Sequence, residues 1–379
     1  MKSAYSSKVL VFFVLLYLCN ACGSKQIDVI NIGYIGPITG NAMDLGKHPA
    51  NAMALAVEQY NRSKSPDAPL LKLHVEDDEW KKENAIPLYD KLRKEHKIEV
   101  LFISNSEGTV VLQEKILQDH VILINPLNND ALLSSMNQNT FKIGKKTEET
   151  ALVTAARIFE LGLKNIVIFQ VNNYFMSLSA KSLAENLKKN NVQVEIIPVD
   201  INQTDYTAYL NTCKSKNIDA LLFFGYKNLG YAMKQARDKG IKVPYFATNT
   251  LFGDGYYKNS QGTMDGTVFA FFTQNDGNYV LANQFANAYK DKFGEIHVAF
   301  WSAMQAYDAM NIFIAQLSQL STKPTDKSFE VWLREQLHTV SFYQGVCGNI
   351  AILEDGASKG IYFTLYTIKS DGVVEKVKR

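Results

Sequence analysis

The chain has 379 residues, 46% of them hydrophobic and 21% charged, and its 40 basic and 38 acidic residues give a net charge of +2. This length exceeds what one hydrophobic core usually organises, so the sequence predicts two lobes. The near-neutral charge balance gives no reason to expect a nucleic-acid partner.

The first 22 residues predict an export signal. Two lysines precede an unbroken apolar run over residues 9–18, which is shorter than the roughly 20 residues that a bilayer span needs. Cys22 follows Ala21 at the foot of this run and resembles the acceptor of a bacterial lipoprotein processing site, although Cys19 stands where leucine is usual. Lipid on Cys22 would anchor the chain to a membrane. Simple secretion is the alternative.

Residues 30–46 predict a strand that ends in a glycine-rich turn. Ile30, Ile32 and Ile35 supply a buried apolar run, and Pro49 then opens a helix with apolar residues at helical spacing. A strand, a loop and a helix in this order begin an open α/β sheet, whose ligands lie beyond the carboxyl ends of the strands. The loop is therefore the first expected wall of a binding site.

Three further strands continue this first sheet, and each ends in a polar loop. They are predicted at residues 70–75, 100–103 and 121–124, with helices at 84–96 and up to about 118. The first of these loops, residues 76–79, is acidic, but no calcium-loop spacing follows it. Solvated charge at the start of a helix is therefore expected there, not a metal site. The next two loops contain Ser106 and Asn129.

Strands and helices keep alternating after a crossing at residues 141–144, which predicts a second parallel sheet of the doubly wound type. The predicted strands are 165–170, 192–198, 220–224 and 243–247, and the helices are 147–161, 176–190, 206–215 and 229–239. A second crossing is expected at residues 266–272, helices 279–293 and 300–320 return to the first lobe, and a third crossing follows at 342–350.

Four segments together resemble the leucine/isoleucine/valine-binding proteins, the type I periplasmic binding family. They are the Gly-Pro-Ile-Thr-Gly turn at 36–40, the two polar loops after residues 103 and 124, the strands around 166–174 and 217–225, and the closing segment 342–350 with its Asp-Gly turn. The resemblance implies an α/β fold of two doubly wound lobes joined by three crossings. Lobe 1 would contain residues 28–143 plus 274–344, and lobe 2 residues 144–273 plus 345–379.

The resemblance also implies a set of ligand-binding residues. By position, Ser106 matches a cleft serine, Asn129 replaces a threonine, and Tyr174 and Tyr226 match two tyrosines that face the ligand. Thr250 stands where a glutamate often holds the ligand ammonium. A buried ammonium without a counter-charge is costly, so either Asp130 or Asp254 compensates or the ligand is not a standard α-amino acid. Ser106 and Asn129 could instead be helix caps.

The function implied is that of an extracytoplasmic solute-binding protein. It would capture an amino acid or similar small polar ligand between the lobes for an ABC importer, with the permease as partner and without cofactor or metal. A non-transport envelope sensor or interaction lipoprotein on the same fold is the alternative. The chain contains no nucleophile elbow, Walker loop, zinc-peptidase motif or complete Rossmann glycine triplet, so an enzyme is not expected. Cys213 and Cys347 are expected to be free thiols in preference to a disulfide.

Overall fold

A computed structural model describes residues 28–377, apart from residues 41, 252–253, 273–278, 295–299, 362 and 370–373. The predicted signal peptide and Cys22 therefore lie outside the described residues. No described helix is both long enough and apolar enough to cross a membrane.

The first lobe is built on a parallel sheet of five strands in the order β2-β1-β3-β4-β5. The strands are β1 (Val29–Gly36), β2 (Leu70–Asp77), β3 (Val100–Ile103), β4 (Ile122–Asn125) and β5 (Thr140–Lys142). The helices are α1 (Lys47–Ser63), α2 (Ala85–His96), α3 (Ser106–Val111) and α4 (Gln113–Gln118). Every residue of β3 and β4 is buried, as expected for central strands covered by helices on both faces.

The second lobe is built on a sheet of seven strands in the order β15-β14-β10-β9-β8-β6-β7. Its strands are β6 (Asn165–Val171), β7 (Gln193–Val199), β8 (Ala220–Phe224), β9 (Tyr245–Ala247), β10 (Val268–Phe272), β14 (Phe363–Ile368) and β15 (Val374–Lys376). Its helices are α5 (Thr147–Glu160), α6 (Tyr174–Lys188), α7 (Thr207–Ser215), α8 (Leu229–Asp238) and α9 (Asp254–Ser260). The strands from β6 to β10 pair in parallel, and β14 and β15 close the sheet as an antiparallel pair.

The chain returns to the first lobe through three helices, α10 (Val280–Phe293), α11 (Phe300–Gln316) and α12 (Phe329–His338). The apolar faces of α10 and α11 pack against α1, because α1 buries Ala52, Met53 and Ala56 on one side at helical spacing. Two doubly wound α/β lobes, as predicted, are therefore confirmed.

The structure places the crossings differently from the sequence prediction in two respects. Residues 140–142 form the edge strand β5 of the first sheet, and residues 268–272, predicted as the second crossing, form β10 inside the second sheet. Both segments are short, and β5 (Thr140–Lys142) contains a single apolar residue, so the local sequence does not separate a strand from a connection. The chain thus leaves the first sheet after Lys142 and the second sheet after Phe272.

The third crossing contains a small antiparallel sheet of β11 (Tyr343–Gln344), β12 (Gly348–Ile352) and β13 (Ser358–Ile361). This sheet lies against first-lobe residues, since the Lys142 N–H donates to the Gly356 carbonyl at 2.8 Å. The segment expected in the second lobe from residue 345 onward therefore contacts the first lobe before β14 joins the second sheet.

Candidate functional site

The acidic loop after β2 holds the glycine-rich turn after β1. Asp77 accepts hydrogen bonds from the Ile38 N–H at 2.9 Å and from the Thr39 hydroxyl at 2.6 Å. Asp78 is fully buried, accepts from the Trp80 N–H at 2.9 Å, and has its pKa raised by burial to about 6. The expectation of solvated charge is therefore wrong for Asp77 and Asp78, because Asp77 joins the two strand-end loops and Asp78 is buried, whereas Glu79 is exposed as expected.

Ser106 lies at the start of α3 but does not cap it. The cap is Asn105, whose side-chain oxygen accepts from the N–H groups of Glu107 and Gly108 at 3.0 and 3.2 Å. The Ser106 hydroxyl instead accepts a hydrogen bond from the Asn128 amide at 2.8 Å. Since a hydroxyl both donates and accepts, its proton can still be donated to a ligand. Asn128 was missed by sequence reasoning, which had singled out its neighbour.

Asn129 ties the polar loop after β4 to two crossings. Its backbone N–H donates to the Lys145 carbonyl at 2.9 Å, and its side-chain amide donates to the Ser358 carbonyl at 2.9 Å. The side chain therefore holds the segment that leads into β13. A role of Asn129 in ligand contact stays a prediction.

Tyr174 reaches from the second lobe towards the first. It is the first residue of α6, is 45% exposed, and lies close enough to the Leu132 backbone in the first-lobe loop for that backbone to influence the pKa of its hydroxyl. Burial of the hydroxyl and the nearby negative charge of Asp130 raise its pKa. Its preceding residue Asn173 caps α6 by accepting from the Met176 N–H at 2.9 Å. The carboxyl ends of the two sheets therefore face one another, and we call the space between them the interlobe cleft.

Tyr226 and Thr250 lie close together on the second-lobe side, each at the end of a strand. The Tyr226 hydroxyl accepts from the Asn173 amide at 3.2 Å, and burial raises its pKa. The Thr250 hydroxyl donates to the Gly225 carbonyl at 2.5 Å and lies 2.6 Å from the Thr248 hydroxyl. Thr250 therefore brings no charge to the cleft, and its hydroxyl proton is already donated to the Gly225 carbonyl. Of the two residues expected to compensate, the side chain of Asp254 lies outside the described residues.

Lys145, in the first crossing, is a buried cation between the lobes. Its ammonium lies 4.5 Å from the centre of the Phe175 ring at the start of α6 and 5.0 Å from the Trp301 ring at the start of α11. The residue is only 3% exposed, and burial lowers its pKa to about 8, although the charge of Asp130 acts in the opposite direction. Sequence reasoning missed this residue because its two aromatic neighbours lie far away in the chain.

Several buried polar atoms on α5, which follows Lys145 in the chain, and on α11, which carries Trp301, have no hydrogen-bond partner in the described part of the chain. They include the Thr147 hydroxyl and one carboxylate oxygen of Glu148, both in the first turn of α5. Gln305, one turn beyond Trp301 on α11, has its amide nitrogen 3.5 Å from the Leu127 carbonyl and leaves its own side-chain oxygen unpartnered. Asp130 is better satisfied, since it accepts from the Thr147 N–H at 2.8 Å. Unpartnered polar groups at such a site are typical of a place where a ligand binds.

A separate cavity of about 260 Å³ lies behind the third crossing, between α1, α10, α11 and residues 343–346. Its wall includes Asp308, which accepts from the N–H groups of Val346 and Cys347 at 2.7 and 2.8 Å. Burial raises the pKa of Asp308 to about 7. None of the predicted ligand residues lines this cavity.

The described cysteines and potential metal ligands form neither a disulfide nor a metal site. Cys213 and Cys347 are both free and buried, and burial raises the pKa of each thiol. Across the described ranges, no group of three or more His, Cys, Asp or Glu side chains could hold a metal ion.

Comparisons with known proteins match this fold over nearly the whole chain. The family model described as periplasmic binding protein matches residues 29–372. A comparison with curated protein sequences gives no match.

Solved structures match over nearly the whole chain. The substrate-binding protein LivJ of a branched-chain amino acid transporter from Streptococcus pneumoniae, in complex with isoleucine, is 20% identical with a TM-score of 0.78, and the match covers 93% of this chain and 100% of that one. The leucine-binding protein LivK from Thermotoga maritima is 18% identical with a TM-score of 0.77, covering 92% and 98%. A solute-binding protein of an ABC transporter from R. palustris, in complex with benzoate, is 16% identical with a TM-score of 0.74, covering 92% and 95%. At these identities the structural matches show the fold alone.

Proposed function

The chain belongs to the periplasmic binding protein family, and on that premise we propose that it captures a small polar ligand, an amino acid or a similar molecule, between its lobes for an ABC importer. The family consists of solute-binding proteins that act outside the cytoplasm, so an extracytoplasmic location and the absence of enzymatic activity are parts of the proposal.

The observation that carries the proposal is the meeting of polar groups from both lobes in the interlobe cleft. Tyr174 of the second lobe lies against the Leu132 backbone of the first, and Ser106 keeps a hydroxyl proton available on the opposite side. A ligand that contacts both lobes at once stabilises the closed arrangement over the open one, and this difference in affinity drives closure. Three crossings provide the hinge.

Within the cleft, the predicted contacts divide between the lobes. Ser106 and Asn129 would hold an anionic or carbonyl end of the ligand from the first lobe, and Tyr174, Tyr226 and Thr250 would close over it from the second. The ligands named for similar structures, isoleucine and benzoate, both carry a carboxylate, and only isoleucine carries an ammonium. Uncharged Thr250 is compatible with either type.

Lipid anchoring through Cys22 is the second part of the proposal and rests on the sequence pattern alone. Replacement Cys22→Ser should release the protein from the membrane fraction into the soluble extracytoplasmic fraction, while Cys19→Ser should leave it membrane-bound. An unchanged distribution of the Cys22→Ser protein would refute lipidation at this residue.

One observation favours the alternative of an envelope sensor or interaction lipoprotein. Asn129 already donates a hydrogen bond to the Ser358 carbonyl, and the Lys145 side chain occupies space between aromatic rings of the two lobes. A cleft that is satisfied by its own side chains would not need a transported solute.

Thermal unfolding decides between these functions. The chain from Ser24 onward should be heated with a panel of amino acids, small carboxylic acids, amides, short peptides and purines. A ligand at about 100 times its dissociation constant should add roughly 2.7 kcal/mol to the free energy of unfolding. The shift should disappear in Tyr174→Ala and persist in Tyr209→Ala, a control tyrosine on α7 that is similarly exposed at 38%. No shift with any compound would favour the sensor or interaction protein.

A further inference from the structure

We propose that Lys145 binds the carboxylate of the ligand, and that the natural ligand is a small organic carboxylic acid whose recognition does not require an ammonium group. This inference rests on the proposed solute-binding function and names the class of solute for the same cleft.

The first step concerns the hydrogen bonds that Lys145 lacks. A lysine ammonium has three donors. The described residues offer it two aromatic faces, at 4.5 and 5.0 Å, and no hydrogen-bond acceptor or ion-pair partner within contact distance. Aromatic rings attract a cation but do not accept its protons as an oxygen does. A buried charge is costly unless it is paired and hydrogen-bonded, so this ammonium requires oxygen atoms that none of the described residues supplies and that a ligand would provide.

The second step concerns the position of the ammonium. Phe175 directly follows Tyr174 in the second lobe, and Trp301 begins the helix that packs on α1 in the first lobe. The Lys145 carbonyl also accepts from Asn129 in the loop next to Ser106 and Asn128. An anion at the Lys145 ammonium would therefore contact both lobes at once, as a ligand that drives closure must do.

The third step concerns the other end of an amino acid. On the second-lobe side, Thr250 is uncharged and its proton is taken by the Gly225 carbonyl. Asp130 already accepts from the Thr147 N–H and acts electrostatically on Lys145. Glu148 is the acidic residue near Tyr174 whose buried oxygen has no partner among the described residues, so it would hold an ammonium if this proposal were wrong. Among the described side chains, the cleft thus offers a dedicated cation to the ligand and no dedicated anion at position 250, where the family resemblance leads us to expect one.

Isothermal titration of the full-length protein in detergent tests the proposal with four compounds of similar size. The set is leucine, its deaminated analogue 4-methylpentanoate, the neutral 4-methylpentanamide, and benzoate. The wild-type protein should bind at least one of the two simple carboxylates, and should bind the amide at least about 30-fold more weakly than 4-methylpentanoate, since an unpaired buried charge typically weakens binding by that factor or more.

Two variants locate the effect. Lys145→Met, which leaves an unbranched apolar side chain only one atom shorter beside the two rings, should lose carboxylate affinity by at least about 30-fold and abolish the preference for acid over amide. Lys146→Met, at the exposed neighbouring position, should bind as the wild type does. A near-ultraviolet circular dichroism spectrum of Lys145→Met that matches the wild type shows that loss of binding is not loss of fold.

The remaining outcomes distinguish failure of the Lys145 proposal from failure of the proposed solute-binding function. If leucine binds and the simple carboxylates do not, or if Lys145→Met keeps its affinity and selectivity, the inference is overturned while the solute-binding function stands. If the wild-type protein binds none of the four compounds but does bind an amino acid, an amide, a short peptide or a purine of the wider unfolding panel, the class of solute is wrong. If nothing in either set binds, the proposed function itself fails.

Discussion

Replacement Lys145→Met should stabilise the ligand-free protein while it removes ligand binding. Burial lowers the pKa of Lys145 from 10.5 to about 8, and one pKa unit corresponds to 1.36 kcal/mol, so the charged form costs the folded state about 3 kcal/mol. Attraction to the Phe175 and Trp301 rings returns roughly 0.5–2 kcal/mol of this. Methionine has no charge to desolvate and keeps contact with both rings. The free energy of unfolding at pH 7 should therefore rise by about 1–3 kcal/mol.

The pH dependence of the stability difference between Lys145→Met and the wild type shows whether the buried charge causes it. The folded-state pKa is lower than the unfolded one, so the folded protein binds this proton more weakly, and wild-type stability rises as the pH increases from about 8 to 10.5. The advantage of Lys145→Met should thus be complete below pH 8 and should disappear near pH 10.5. Urea unfolding of the two proteins at pH 7 and pH 10 measures it, with Lys146→Met as the exposed control. A variant that is less stable than wild type at pH 7 would show instead that the ammonium is a stabilising contact between the lobes, and the reasoning would be refuted.

Three other changes test separate parts of the structure. Asp308→Asn should flatten the pH dependence of unfolding, because the pKa of Asp308 is raised from 3.8 to about 7, which makes wild-type stability fall as the pH rises through that interval; parallel curves for the two proteins would contradict the burial argument. Asn105→Ala should lower the free energy of unfolding by about 1 kcal/mol through loss of the α3 cap, whereas Ser106→Ala should lower it less, and equal losses in urea titrations would argue against this division of roles. Thr250→Glu introduces a carboxylate on the Tyr226 side and should shift the preference in calorimetry from simple carboxylic acids towards amino acids; an unchanged ratio of affinities would exclude position 250 as the site of ammonium recognition.

Much of the fold follows from local sequence patterns, and the exceptions have physical causes. The strands at 100–103 and 220–224 are continuous apolar runs between polar loops, so their prediction is confirmed to the residue. By contrast, β5 and β10 are short segments next to a crossing, where nothing in the local sequence separates a strand from a connection. Helix α12 was not predicted, although Ser328 caps it by accepting from the Val331 N–H at 3.2 Å. That serine before a helical apolar pattern is a signal that could have revealed it.

The site was harder to predict than the fold because its decisive contacts join distant segments. Ser106 could be placed at the end of a strand from sequence, but its bond to Asn128 depends on how two loops fold against each other. Asp77 and Asp78 were predicted to be solvated because the local sequence does not reveal their surroundings. Asp77 binds Ile38 and Thr39 of another loop, and Asp78 is buried by the tertiary structure. A lysine in a polar stretch is usually exposed, and only the tertiary structure brings two aromatic rings to Lys145.

The cost of burying Lys145 also predicts that ligand binding takes up protons. Free protein at pH 8 carries Lys145 about half protonated, because burial lowers its pKa to about 8. A bound carboxylate is an opposite charge at hydrogen-bonding distance and would raise that pKa again, so the complex would hold the proton fully. Binding of a carboxylate at pH 8 should therefore take up roughly half a proton, and at pH 6 almost none. Calorimetry in two buffers with different ionisation enthalpies measures this uptake, and Lys145→Met should reduce it to zero in whatever binding remains. Equal proton uptake in the variant would assign the titration to another group and separate Lys145 from the ligand.

The same unsatisfied charge thus lowers the stability of the empty protein and provides the free energy that favours an anionic ligand, which is why stability and affinity should change in opposite directions at this residue.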